Sequence, residues 1–289
     1  MSNMSVNVAG VEWKNPVTVA SGTFGSGAEY SEFVDLNRLG AVTTKGVANK
    51  PWEGNPTPRV AEVYGGMLNA VGLQNPGIEL FLKRDIPFLK QFDEYLDVVK
   101  RLADEPIDMM EINISCPNVK EGGIAFGTDP KGVETITSEI KKYAKQPVIM
   151  KLSPNVTSIA EIARAAEAGG ADAVSLINTI TGMKIDINRR SFVLANKTGG
   201  MSGPAVHPVA VRMVYETAHA VNIPIIGMGG ITNAADAIEM ILAGATAVSV
   251  GTANFVNPKT TEQIVDGIAE YMDRYGVKDI SELVGAVDR

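Results

Sequence analysis

Cysteine is nearly absent from this sequence: Cys116 stands alone in 289 residues. One thiol excludes an intrachain disulfide, and it excludes an iron–sulfur cluster or cysteine-rich metal centre built from this chain. No metal site is expected. Basic residues are in deficit, 26 Lys+Arg against 33 Asp+Glu for a formal charge of −7. That balance argues against bulk nucleic-acid binding, which takes a basic face. Long apolar runs are missing too, none approaching the roughly 18 residues that span a bilayer. The opening MSNMSVNVAGVEW lacks the charged-then-apolar order of a secretion signal. A cytoplasmic location, away from membranes, is the expectation. No low-complexity linker divides the chain, so residues 1–289 are read as one domain, a length that α/β barrels reach as a single unit.

What the sequence does have is alternation. Apolar, β-branched runs recur between helical stretches, as parallel βα units require. The candidate strands are PVTVAS (16–21), AVTTKGV (41–47), MMEINIS (109–115), PVIMKLS (147–153), AVSLINT (173–179), IPIIGMGG (223–230) and AVSVGTA (247–253). Ser158 and Glu161 open a helix with the apolar stripe Ile159, Ile162, Ala163 and Ala166, closed by Gly169-Gly170. A second helix starts near Thr232-Asn233 and stops at Gly244. The spacing predicts a (β/α)8 TIM-type barrel of which the third strand segment is lacking, because residues 78–104 read as helix throughout.

Buried parallel strands should be apolar to their ends, yet these finish in Ser21-Gly22, Lys45-Gly46, Asn113 with Cys116, Lys151, Asn178-Thr179, Gly229-Gly230 and Gly251-Thr252. Polar groups collected at one end point to a shared site above the barrel mouth. The turns GMGGIT and VGTANF have the glycines to wrap a phosphate; otherwise they are tight βα turns with no ligand. Cys116, in NISCPN, is either a base at the rim or an inert thiol in a turn. Lys45 and Lys151 point into the pocket, where an anionic ligand would partner them, or form salt bridges on the rim. Two long insertions, 48–77 and 181–203, feed the same face, the second with a hairpin turning at Asn188-Arg189. His207 and His219, in or beside one helix, are read as surface residues, and Trp13 and Trp52 as packing.

The stretches ASGTFG, TTKG, GNPTPRVAE, GMLNAVGLQNPG, EINISCPNVKEGGIAFGTDP, KLSPNV, INTITGM, ANKTGGMSGPAVHPVAVRMVYE, PIIGMGGI and VGTANF together resemble the class 1 dihydroorotate dehydrogenases, and more closely the class 1B catalytic subunit. That resemblance implies oxidation of dihydroorotate to orotate in pyrimidine biosynthesis, with one FMN per chain. Dihydroorotate would lie against Lys45, the loop Asn69, Ala70, Val71, Gly72 and Leu73, Asn113, and the pair Asn178 and Thr179. Cys116 would take the C5 proton. Ser21, Lys45, Gly46, Asn113, Lys151, Ile177 and Gly203 would hold FMN, with its phosphate on Gly229, Gly230, Gly251 and Thr252. The class implies a partner subunit carrying FAD and an iron–sulfur cluster that passes electrons to NAD, around a homodimer core of a heterotetramer.

The family's third strand ends in an asparagine that contacts FMN, and Gln91-Phe92-Asp93 runs past that place directly into EYLDVVKRL. The expectation is that part of 78–104 fills the gap, or that FMN binding is weakened. Two rivals follow: a non-catalytic flavin- or phosphate-binding barrel, and a dihydropyrimidine dehydrogenase-like flavoenzyme. The second fits poorly, because Phe126 stands where that family has its acid cysteine.

Overall fold

The computed structural model describes residues 2–85, 107–114 and 127–288. The chain opens with an antiparallel hairpin, β1 (Val6–Val8) and β2 (Val11–Trp13), whose Val8 and Trp13 side chains are buried in the main core. β3 (Val17–Val19) begins the barrel, and the first insertion follows it with β4 (Val60–Val63) and β5 (Gly66–Asn69). Next come β6 (Met110–Asn113), β7 (Val148–Lys151) and β8 (Ala173–Leu176). The second insertion supplies β9 (Ile180–Met183), β10 (Ile185–Asp186), β11 (Ser191–Phe192) and β12 (Thr198–Ser202). β13 (Ile225–Met228) and β14 (Ala247–Val250) complete the series.

Six of the seven predicted strands form one parallel sheet, in the order β3-β14-β13-β8-β7-β6. The first barrel strand therefore pairs with the last, Val17 in register with Val248, as a sheet curling on itself demands. Strands β7, β8, β13 and β14 are buried at every position, which is why their sequences read as near-continuous apolar runs. Connecting helices cover the outside. Ser158 caps Ile159–Ala168 by accepting the N–H of Glu161, and the stripe Ile159, Ile162, Ala163 and Ala166 packs into the core. Asn233 caps Ala234–Leu242 in the same way. This is the TIM-type α/β fold.

The remaining predicted strand, 41–47, does not form. Residues 41–47 carry no regular secondary structure, because their backbone groups are taken by loops rather than by a ladder. Lys45 N–H donates to Gly25 O (2.8 Å), and Gly46 N–H to the Ser21 hydroxyl (3.1 Å). Gly40 N–H still reaches Val17 O at 2.9 Å, so the segment lies beside β3, at the second barrel position. The helical reading of 78–104 holds for Ile78–Asp85; its remainder, and the question of the third strand, lie outside the described residues.

The two insertions are not separate loops. β4, β5, β12 and β9 form one antiparallel sheet in the order β4-β5-β12-β9, with Asn69 opposite Gly200 and Gly200 opposite Thr181. The hairpin β10–β11 turns through Ile187–Arg190, centred on Asn188-Arg189 as the sequence predicts. Among the described residues no helix is long and apolar enough to cross a membrane.

Candidate active site

At the carboxyl end of the parallel strands lies a cavity of about 740 Å³. Its lining includes Ser21, Lys45, Gly46, Asn69, Val71, Gly72, Leu73, Asn113, Lys151, Ile177, Asn178, Thr179, Gly203, Gly229, Gly230, Gly251 and Thr252. Residues scattered over more than 230 positions of sequence thus meet in one space, some where barrel strands stop and others, Asn69, Val71, Gly72, Leu73 and Gly203, where β5 and β12 of the insertion sheet end. Ala70 is the exception. Its side chain is fully buried with Ala61, Leu68 and Leu194 beneath the antiparallel sheet, because it follows directly on β5, so it does not face the cavity. Cys116 lies outside the described residues.

The floor carries an ion pair. Lys151 Nζ is 3.4 Å from Glu111 Oε1, with the two side chains only 7% and 9% exposed. The Ser175 hydroxyl donates to the other Glu111 oxygen at 2.9 Å. The sequence leaves Lys151 either an anionic ligand or a salt bridge on the rim as partner; the structure gives it a salt bridge, to Glu111, buried on the floor rather than at the rim. Period-two alternation puts Glu111 on the same face of β6 as Asn113, so the signal was present in MMEINIS.

Two amides meet on the wall, where Asn178 Nδ2 donates to Asn113 Oδ1 at 3.2 Å. Asn155 orients the segment beyond them: its Nδ2 donates to Thr179 O and its Oδ1 accepts from Thr181 N–H, at 3.0 and 2.9 Å. Thr179 in turn packs against β12 so closely that a Cβ on Gly200 would sit 1.9 Å from its hydroxyl oxygen, so only glycine serves there.

The 69–73 loop is held from behind by residues on both sides of it in sequence. Trp52 Nε1 donates to Gly72 O at 2.8 Å, Asn55 Nδ2 to Ala70 O at 3.0 Å, and Asn75 Nδ2 to Leu73 O at 2.8 Å. Trp52 is 53% exposed, so it acts more as a strut than as core.

The Gly229–Gly230 turn has φ of 132° and 70°. A Cβ on Gly230 would meet His207 Cβ at 2.7 Å, so the turn can pass there only as glycine. His207 is not a surface residue: it is buried, with Nδ1 2.8 Å from Gly229 O and Nε2 3.1 Å from Glu239 Oε2. It opens the helix His207–Ala218, and that position turns its ring toward the glycine turn rather than toward solvent. On the neighbouring turn Thr252 Oγ1 donates to Ser202 Oγ at 2.7 Å, tying β14 to the end of β12. His219, by contrast, is exposed as read, its Nδ1 2.9 Å from Tyr215 O.

Deeper in the barrel a second cavity of about 40 Å³ is lined by Trp13, Thr18, Thr43, Asp108, Glu111 and Ser249, among others. Burial pushes the Asp108 carboxyl up to about 6.

Comparison with known proteins gives the geometry its relatives. The family model described as dihydroorotate dehydrogenase matches residues 3–272. A protein of Lachnoclostridium phytofermentans called dihydroorotate dehydrogenase B (NAD(+)), catalytic subunit, is 66% identical over 298 aligned positions, covering 99% of each chain. One of the same description from Alkaliphilus metalliredigens is 60% identical, again over 99% of each. An alignment of 298 positions against 289 residues leaves at least nine positions of the first relative with no counterpart here. The crystal structure of DHODH from Eimeria tenella in complex with ferulenol superposes with a TM-score of 0.81 at 20% identity, over 99% of this chain and 89% of that one, and shares its fold. A match this long to the family model, with relatives this similar from end to end, means that the chain belongs to the dihydroorotate dehydrogenase family.

Proposed function

We propose that this chain is the catalytic subunit of an FMN-dependent dihydroorotate dehydrogenase, which oxidises dihydroorotate to orotate in pyrimidine biosynthesis. The observation that carries the reading is the convergence of amides, glycine turns and a buried lysine on one cavity of about 740 Å³, within the roughly 300–1,000 Å³ usual for small-molecule sites. The residues fit a flavin nucleotide. Lys151 supplies a cation at the floor, Asn69, Asn113 and Asn178 supply amides for a ring rich in carbonyl and N–H groups, and the glycine turns offer a cradle that side chains would fill.

In this reading Lys45, Asn69, Val71, Gly72, Leu73, Asn113, Asn178 and Thr179 bind and orient dihydroorotate. Cys116 Sγ takes the C5 proton, a role open to a thiol at neutral pH where its surroundings favour the thiolate. FMN, when bound, supplies the acceptor for the hydride leaving C6. Ser21, Lys45, Gly46, Asn113, Lys151, Ile177 and Gly203 would hold the flavin, Gly229, Gly230, Gly251 and Thr252 would hold its phosphate, and Lys151 would compensate negative charge on the ring. The relatives are named as catalytic subunits of an NAD(+) enzyme, which supports a second subunit here. We assign FAD and an iron–sulfur cluster to it, since one cysteine cannot hold a cluster, with a homodimer of this chain at the centre of a heterotetramer in the cytoplasm. Residues 1–289 act as one domain.

The test is spectroscopic. Purified protein should carry a yellow flavin band that bleaches when dihydroorotate is added without oxygen; a colourless protein, or a band that stays, sinks the proposal and favours a non-catalytic barrel. Cys116→Ala should bind orotate as before and reduce flavin about 10²–10⁴-fold more slowly, the usual worth of a general base. Equal rates in variant and parent would remove Cys116 from the role.

A further inference from the structure

The ion pair on the cavity floor asks for a reason beyond stability. Its two side chains come from adjacent strands, Glu111 on β6 and Lys151 on β7, and Ser175 on β8 fixes the carboxylate from the far side. A buried pair of this kind loses in desolvation about what it gains in attraction, so an apolar pair of equal volume would serve the core as well. Glu111 also lines both the main cavity and the smaller one below it, which puts it between the site and the barrel interior. A lone buried ammonium would favour an anionic ring strongly; a carboxylate 3.4 Å from it cancels much of that field.

We propose that Glu111 is a positioning residue for the reaction: it holds the Lys151 ammonium at the cavity floor and offsets its charge, thereby setting how strongly the bound flavin favours its reduced, negatively charged form. This rests on the flavin reading above and deepens it. The functional logic is that electrons must leave as well as arrive. An uncompensated lysine would hold them, while a compensated one lets a partner take them.

The full-length chain loaded with FMN provides the test, with two readouts that need no turnover. Sulfite adds to the flavin and leaves negative charge on the ring, so its dissociation constant reports the local field, and dye equilibration gives the midpoint potential. Glu111→Gln should tighten sulfite binding about tenfold and raise the potential by about 30 mV, the equivalent of tenfold for a two-electron couple. Lys151→Met should move both the other way. Ser175→Ala, which loosens the carboxylate without changing charge, should give a smaller shift in the direction of Glu111→Gln. If Lys151→Met moves both readouts and Glu111→Gln moves neither, Glu111 is packing alone and the inference falls while the flavin reading stands. If Glu111→Gln does not retain flavin, Ser175→Ala decides, and an unmoved potential there overturns the inference. A parent chain that takes up no flavin overturns the underlying reading instead.

Discussion

Asp108 shows what burial does to one carboxyl group at the base of this barrel. Its ordinary value is 3.8, and desolvation lifts it to about 6 in the folded chain. Well below 3.8 both states hold the proton and the group is neutral to stability. Between 3.8 and about 6 the unfolded chain ionises first, so stability falls as pH rises through that window, and the deficit is complete above it. Asp108→Asn should therefore raise the melting temperature more at about pH 7.5 than at about pH 4.5. Melts at the two values check it, and equal gains would mean that the cause lies elsewhere. At this scale the sequence was informative wherever a polar residue interrupts an apolar strand, which is how Lys151, Asn113 and Asn178 stood out. Glu111 breaks its strand in the same way, but its partners lie on β7 and β8, and register between strands is not written in any one of them. Ala70 continues the alternation of β5, so its side chain is buried with Leu68 while its neighbours Asn69 and Val71 line the cavity.

Loops and turns carry their own predictions. Trp52 holds the 69–73 loop through a single hydrogen bond to Gly72 O, worth about 0.5–1.5 kcal/mol. Trp52→Ala should raise the KM for dihydroorotate roughly 2–10-fold by that figure and leave the FMN dissociation constant where it was; a change in FMN affinity alone would place the strut elsewhere. His207 braces the Gly229–Gly230 turn from below. His207→Ala should speed FMN release in stopped-flow displacement and leave riboflavin, which has no phosphate, unaffected. Equal effects on both would mean a general loosening of the helix His207–Ala218. Trp52, Asn155 and His207 escaped the sequence reading for a common reason: they act on backbone atoms of other loops, and nothing in their spacing announces a backbone partner. The helices were easier, since Ser158 and Asn233 cap where their sequences say they should.

For the molecule as a whole, the parallel sheet ends at β3 and β6 among the described residues, and at least nine positions of the alignment with the Lachnoclostridium relative have no counterpart in this chain. Ligand binding adds stability that grows with the logarithm of ligand concentration over its dissociation constant. Free FMN at about 100 times its dissociation constant should add about 2.7 kcal/mol, visible as a rise in melting temperature with FMN concentration. Flavin retained at one per chain after gel filtration would count against weakened binding. The barrel itself was legible because apolar runs and glycine-ended turns repeat with one rhythm; the joining of two insertions into one sheet was not, because β5 and β12 lie far apart in sequence and each is short. That joining has a consequence for heredity and for engineering. A chimera that imports the 60–69 ribbon from a cousin must import 180–202 with it, for either half transplanted alone arrives with its hydrogen-bonding edge cut to fit a stranger.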